Sequence, residues 1–344
     1  MHVNVEAGSW NGAGTKVRKL TAPFPWFGGK SRIASLVWSA LGDVPNYVEP
    51  FFGSGAVLLA RPHAPGIETV NDLDCYLVNF WRAVKADPAG VAKHADYPVS
   101  EADLTARHQW LVDNAELRKR VFEDPEYYDV KAVGWWVWGQ SSWIGRGWCD
   151  SDFYRNGNDE HGKNGVPVHR KRPHLGSKGQ GINGSAFVSG STYDKIYERM
   201  LALQKRLRRV RICCGSWERV LTRCVTTKHG VTGVFLDPPY ATKNSVKYSP
   251  QVGEGKGDPR CARAVARWAF ENGDNPDFRI VLCGYEGEHK PPKGWRTVAW
   301  KGTGGYYKAK WKKNPLERHN GYKERLWLSP HCVEDQRFLF YPEE

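Results

Sequence analysis

Apolar and polar positions along this chain alternate between short hydrophobic runs and segments with helical spacing, the rhythm of an α/β sheet. Val234-Phe-Leu236, preceded by Gly233, is a short apolar run of the kind expected for an inner strand of a parallel sheet covered on both faces. Further strands are predicted at Tyr47-Val48, Gly66 to Asp72, Val210 to Cys213, Arg279 to Cys283, Trp295 to Trp300 and Glu324 to Leu328. Helical spacing lies between them. Ile33, Leu36, Val37 and Leu41 mark one face of a helix that Ser31 is placed to cap, and Leu77, Phe80, Trp81 and Val84 mark a second helix, from Leu73 to about Ala86. Ile196, Met200, Leu203 and Leu207 mark a third, and shorter helices are predicted around Trp217 to Leu221 and Ala262 to Phe270.

Between residues 87 and 190 this rhythm lapses. Trp135, Trp136, Trp138, Trp143 and Trp148 crowd together there, most of them expected to pack as a small core. Arg155 to Gly190 then runs Gly-rich and basic, with little apolar periodicity, and a loop of that length in a compact domain is usually functional or disordered. The segment reads as a module inserted into one large α/β domain. Residues 1–20, Gly-rich and polar, read as a flexible tail, which leaves 21–86 and 191–344 as the main domain and 87–190 as the insertion.

The candidate chemistry sits at strand ends. Asp237 closes the central apolar run, and Pro238 and Pro239 prevent the chain from continuing in the sheet, so their carbonyls remain as acceptors beside the Asp237 carboxylate. An exocyclic amine offers two N–H donors to such a pair of acceptors, and Tyr240 supplies a flat face for the ring that bears it. Gly53 and Gly55, after the strand at Tyr47-Val48, allow close backbone approach to a ligand, and the helix that follows adds its dipole. Asp72 ends the next strand 19 residues after Gly53, a spacing that suits a carboxylate on ribose hydroxyls, or alternatively the cap of the following helix. The missing third glycine argues against a nicotinamide cofactor. Gly28-Gly-Lys30 ahead of a helix forms a candidate anion or carboxylate site.

Charge narrows the partner. A formal net charge of +13 with 16 tryptophans suits a polyanion whose bases stack on aromatic rings, and Arg155, Lys163, His169, Arg170, Lys171, Arg172 and Lys178 are the candidate nucleic-acid contacts. The eight cysteines form no C-x-x-C pair, so neither a zinc site nor a disulfide framework is expected. With neither a long apolar run nor a signal-peptide core, a cytoplasmic location without a membrane segment is expected.

Three stretches in this order, Phe27-Gly-Gly-Lys30, Val48-Glu-Pro-Phe-Phe-Gly-Ser-Gly55 and Asp237-Pro-Pro-Tyr240, resemble the Dam-like DNA adenine-N6 methyltransferases. The resemblance implies a Rossmann-like class I methyltransferase sheet with an inserted DNA target-recognition region. It also implies S-adenosyl-L-methionine as cofactor, with Phe51, Gly53 and Gly55 on its methionine side and Asp72 on its ribose. Trp26, Lys30, Glu49, Pro50 and Asp237 complete the implied cofactor set. Asp237, Pro238, Pro239 and Tyr240 become the catalytic residues, and no metal is required. Asp237 and the Pro238 carbonyl would then localise the nitrogen lone pair of a flipped-out adenine. Cytosine N4 or RNA adenine presents a similar amine and remains an alternative substrate, although Phe27-Gly-Gly-Lys30 favours DNA adenine. A binding protein that has lost activity is the third reading, and the intact Gly53, Gly55, Asp72, Asp237 and Tyr240 set speaks against it.

Overall fold

The central strand forms where the apolar run requires it, because each of its side chains finds a hydrophobic layer: Val234 and Leu236 enter one cluster and Phe235 the other. The computed structural model describes residues 20–26, 28–124, 126–143, 148–149, 192–240, 259–300 and 324–334. In chain order the elements are α1 (Ala34–Leu41), β1 (Asn46–Glu49), α2 (Ala56–Leu59), β2 (Ile67–Asp72), α3 (Cys75–Ala86), α4 (Pro88–Ala95), α5 (Glu101–Asp113) and α6 (Ala115–Glu123). They continue with α7 (Val130–Ser142), α8 (Thr192–Leu207), β3 (Val210–Cys214), β4 (Thr232–Leu236), α9 (Pro259–Asn272), β5 (Phe278–Tyr285), β6 (Arg296–Trp300) and β7 (Glu324–Leu328). The fold is α/β, as the alternation predicts.

The strands form one sheet in the order β3-β2-β1-β4-β5-β7-β6. Pairs from β3 to β5 are parallel, and β7 runs antiparallel to both β5 and β6. Strand order reverses between β1 and β4, since the chain leaves β1 toward β2 on one side and returns to β4 on the other. Connections diverge at such a switch point, leaving a crevice at the carboxyl ends of the two strands. Successive strand side chains point to opposite faces, so Tyr47, Val70, Phe235, Val281 and Cys283 join α1, α3 and α8 in one core. Val48, Val234, Leu236, Ile280 and Leu282 meet Val265, Ala266 and Ala269 of α9 in the other.

Helices α4 to α7 do not build a separate core among the described residues. They pack on α3 and α8, and Leu104, Leu111, Trp136 and Trp138 are buried in the same cluster as Phe80 and Trp81. Trp143 and Trp148 are buried as well, Trp148 donating its indole N–H to the Trp136 carbonyl at 3.0 Å. The basic stretch from Arg155 to Gly190 lies outside the described residues.

Two local expectations are corrected. Helix α1 begins at Ala34 with Ile33 as its N-cap and no side-chain cap, because residues 31–33 first form a turn in which the Ile33 N–H reaches the Lys30 carbonyl at 3.1 Å, so Ser31 is not the cap. Helix α2 after the glycine turn is a single turn of 4 residues, too short for the macrodipole assigned to it.

A buried charge cluster ties α8 to the sheet. Glu68 on β2 receives Arg206 of α8 at 2.6 and 2.8 Å and Arg61 at 3.2 Å, while Arg206 also donates to the Leu58 carbonyl. Removing Glu68 takes the buried carboxylate from both arginines and leaves Arg206 the Leu58 carbonyl and Arg61 the Val44 carbonyl and Asp43 at 3.6 Å, so Glu68→Ala is expected to destabilise the protein by about 3–5 kcal/mol. Urea unfolding followed by circular dichroism measures it, and a loss below about 1 kcal/mol would mean that the two arginines find other partners.

Candidate active site

Register brings the predicted residues together. Val48 of β1 lies opposite Val234 of β4 and Glu49 opposite Val70 of β2, so Glu49 and the turn after it run between Asp237 at the end of β4 and Asp72 at the end of β2. Leu236 pairs with Leu282, which sets Asp237 beside Cys283 on β5. Four strand ends therefore meet in one crevice.

The turn after β1 is held from its β2 side. Asn71 donates its amide to the Pro50 carbonyl at 3.1 Å and to the Gly215 carbonyl at 2.9 Å, and its own carbonyl accepts the Phe52 N–H at 2.9 Å. Asp72 Oδ2 accepts the Gly53 N–H at 2.9 Å and Oδ1 the Asp74 N–H at 3.0 Å. Gly53 and Gly55 adopt φ of 48° and 69°, the left-handed region that costs glycine little. Space is as restrictive as the backbone, since a Cβ on Gly53 would lie 2.6 Å from the Trp26 indole nitrogen and one on Gly55 2.8 Å from the Phe52 ring. Trp26 thus covers the glycine turn, and it is itself backed by Phe24 and Trp136. Asp74, not Asp72, caps α3 by accepting the Tyr76 and Leu77 N–H groups at 2.9 and 3.3 Å. The capping alternative for Asp72 is removed.

At the other side of the crevice, Lys30 Nζ lies 2.7 Å from Asp237 Oδ2 and donates to the Gly28 carbonyl at 2.8 Å. The same ammonium stands over the Tyr240 ring, 5.3 Å from its centroid. Tyr240 is buried, its ring T-shaped to that of Tyr285, with its hydroxyl oxygen 3.2 Å from Asp237 Oδ1 and 2.9 Å from Glu324 Oε2. Lys30 thus engages one Asp237 oxygen, and the single Tyr240 hydroxyl hydrogen lies between the other and Glu324. Phe27, the first residue of that motif, lies outside the described residues, as do Arg155, Lys163, His169, Arg170, Lys171, Arg172 and Lys178.

Electrostatics follow from burial. Glu49 accepts the Tyr47 hydroxyl at 2.9 Å, the two side chains lying on one face of β1 two residues apart. Burial holds the Glu49 carboxyl well above the usual carboxylate range; the Asp237 and Asp72 charges add to that shift, while the Tyr47 hydrogen bond opposes it. Burial also raises Asp72, against the backbone N–H groups of Asp74, Gly53, Leu73 and Phe52. Glu324 is raised by burial, with Lys30 opposing and Asp237 adding. Cys283 is pushed well up by burial and by Asp237.

Sequence reasoning missed Asn71, Cys283, Tyr285 and Glu324. Asn71 stood beside Asp72 in a predicted strand, and its side chain was the available signal. Glu324 opened a predicted strand without any motif, and only the β5–β7 register, which sets Tyr285 opposite Glu324, brings it to the site.

A parallel sheet with one reversed strand, a glycine turn after β1, an acid ending β2 and Asp-Pro-Pro-Tyr ending β4 together define a Rossmann-like methyltransferase. Residues 26–150 match the family model of the D12 class N6 adenine-specific DNA methyltransferases, which supports an adenine-specific DNA methyltransferase of the Dam-like kind. The matched span takes in Trp26, Lys30, the glycine turn, Asp72 and helices α3 to α7, and Asp237 joins it in space through Lys30. No curated protein matches the chain by sequence. Among the described residues there is no helix long and apolar enough to cross a membrane and no group of three or more His, Cys, Asp and Glu able to hold a metal.

The raised Glu49 carboxyl predicts a pH-dependent stability. Unfolded glutamate loses its proton near 4.5, whereas the folded protein keeps it to higher pH, so stability falls as pH rises between those two values. Glu49→Gln is therefore expected to melt at a higher temperature than wild type at pH 8, with the difference vanishing as pH drops through the ordinary carboxylate range. Equal melting temperatures at pH 8 would show that water or the Tyr47 hydroxyl fully supports the ionised carboxylate.

Proposed function

We propose that this enzyme transfers the methyl group of S-adenosyl-L-methionine to N6 of an adenine flipped out of DNA, with Asp237 as the residue that meets the amine. The observation that carries this reading is the Asp237 carboxylate at the open end of β4, held on one oxygen by Lys30, with the Tyr240 hydroxyl oxygen 3.2 Å from the other.

The residues present fit the cofactor. Its sulfonium and ammonium groups are cations, and the crevice presents Glu49 and Asp72, carboxyl groups that burial makes reluctant to ionise without a positive partner. Pro50, Phe51, Gly53 and Gly55 would bring backbone and ring surface against the methionine side, Trp26 would close the turn, and Asp72 would hold the ribose. The cofactor supplies an electrophilic methyl group. The chain must make a weak nucleophile available: adenine N6 donates its lone pair into the ring, and hydrogen bonds from its N–H groups to Asp237 and the Pro238 carbonyl draw that pair back to nitrogen and stabilise positive charge as it grows. Tyr240 and the rigid Pro238-Pro239 turn set the plane in which the base lies, offsetting part of the few kcal/mol that unstacking costs. Residues 87–190 are assigned to target recognition, with Arg155, Lys163, Arg170, Lys171, Arg172 and Lys178 as phosphate or base contacts.

Asp237→Ala is expected to abolish methyl transfer to DNA while the calorimetric dissociation constant for the cofactor stays within a few-fold. The test is incubation with labelled cofactor and unmethylated DNA, followed by nucleoside mass spectrometry, and wild-type activity in the variant would remove Asp237 from the reaction. Asp72→Ala separates the other pole of the site. It is expected to weaken cofactor binding by about 1.5–3 kcal/mol, the value of a charged hydrogen bond. An unchanged dissociation constant would reduce Asp72 to a support for the Gly53 turn.

A further inference from the structure

Tyr240 has one hydroxyl hydrogen for two carboxyl oxygens. Its oxygen lies 2.9 Å from Glu324 Oε2 and 3.2 Å from Asp237 Oδ1. With both carboxyl groups ionised the hydrogen serves one of them, and the shorter contact assigns it to Glu324, which leaves the Asp237 and Tyr240 oxygens facing each other as acceptors. One more proton, on Asp237 Oδ1, completes a chain in which Asp237 donates to Tyr240 and Tyr240 donates to Glu324. We propose that Asp237, Tyr240 and Glu324 form a hydrogen-bonded track that takes up the proton released by the methylated amine and holds it at Glu324.

The inference rests on the reading of Asp237 as the residue that meets the amine. In the transfer, the N6 lone pair forms the N–C bond, and the electrons of the breaking C–S bond return to sulfur. As the methyl group arrives and positive charge grows on nitrogen, one of its two N–H bonds breaks in the same step with its electrons left on nitrogen, and the proton passes to Asp237 Oδ1, so the rate of transfer depends on the acceptor. Asp237 then gives a proton to the Tyr240 oxygen as the Tyr240 hydrogen moves to Glu324 Oε2. Asp237 and Tyr240 return to their starting forms, and Glu324 ends neutral. No co-reactant is consumed.

The surroundings favour Glu324 as the terminus. Burial raises its carboxyl above the ordinary range, so it holds a proton better than an exposed acid would. The groups that face it are Lys30 ahead of α1, Asp237 and Tyr240 after β4, and Cys283, Tyr285 and Glu288 on or just after β5. On β6 its partner is the uncharged Trp300, and the Arg325 guanidinium beside it pairs with Glu286 at 2.8 Å and donates to the Glu324 backbone carbonyl at 3.1 Å. Lys30 remains on Asp237 Oδ2, so the oxygen toward Tyr240 is the one left to carry the proton. Acting through Tyr240, Glu324 is a positioning residue rather than one that touches the base.

The test uses the full chain, S-adenosyl-L-methionine with a labelled methyl group and unmethylated DNA of mixed sequence. Single-turnover transfer is followed by quenching across pH, and proton appearance in solution by an indicator dye. Wild-type transfer is expected to fall by about tenfold per pH unit once Glu324 is protonated beforehand, and the dye signal to lag behind methylation. Glu324→Gln is expected to slow transfer at least roughly tenfold, as for a lost proton-transfer group, with the acid limb flattened, the lag abolished and the cofactor dissociation constant within a few-fold. Glu324→Asp should restore the limb. Tyr240→Phe should behave like Glu324→Gln, and the double variant should lose no more than either alone. If melting shows that Glu324→Gln does not fold, Glu324→Asp and Tyr240→Phe carry the same measurements. A Glu324→Gln protein that is slower but keeps both limb and lag, or one indistinguishable from wild type, overturns the track. Wild-type protein that labels no adenine overturns the underlying reading, and the track falls with it.

Discussion

Acid groups crowded at the end of a sheet repel one another and lose water, and the contact that makes this tolerable here is the 2.7 Å pair between Lys30 and Asp237. A buried ion pair of this kind is weak evidence for stability, because desolvation of both partners offsets much of their attraction. Its effect is geometric. Lys30 belongs to the segment ahead of α1 and Asp237 to the end of β4, so the pair joins the two halves of the site across most of the chain. The carbonyl of Gly28 holds the lysine from behind, and that is why the turn at residues 28–33 precedes α1 where a helix was expected to start.

The sheet order explains why so much acid converges. β1 lies between β2 and β4, and each of these three strands ends in or just before a carboxylate: Glu49, Asp72 and Asp237. Reversed β7 brings a fourth from its amino end, because an antiparallel partner of β5 begins where its neighbour finishes. A purely parallel edge would have delivered its first residue to the opposite rim of the sheet. The one antiparallel strand is thus what allows Glu324 to reach Tyr240.

Strand and helix positions were legible wherever burial imposed a period. Val234-Phe-Leu236, the face of Leu77, Phe80, Trp81 and Val84, and the spacing of Ile196, Met200, Leu203 and Leu207 all lie in the elements their pattern predicts, because each pattern states which side must leave water. Motif residues were legible for a different reason: Gly53 and Gly55 sit at positive φ under Trp26 and Phe52, a demand that few other residues meet. Contacts between motifs were not legible. Neither Lys30 on Asp237 nor Glu324 on Tyr240 has a signature in spacing, since both depend on which strands become neighbours. The four helices after α3 showed no βα rhythm, and their packing into the α3 core follows from tertiary contacts that periodicity does not record.

Tyr240 shows what the combined view adds. Read from sequence it is a ring face for a base, yet in the folded chain its ring is buried, packs T-shaped with Tyr285 and has the Lys30 ammonium over it. An ammonium placed against a carboxylate and above an aromatic ring has the same electrostatic surroundings that an alkylated adenine amine requires, because both are nitrogen cations seeking an acceptor and a negative π face. On the proposed reading, the Asp237 carboxylate and the Tyr240 ring that hold Lys30 are also the groups that meet the charge developing on N6, against the repulsion of the ammonium itself. A neutral amine gains little from such a setting and a cationic one gains more, which is the difference between binding a base and lowering the barrier to its methylation.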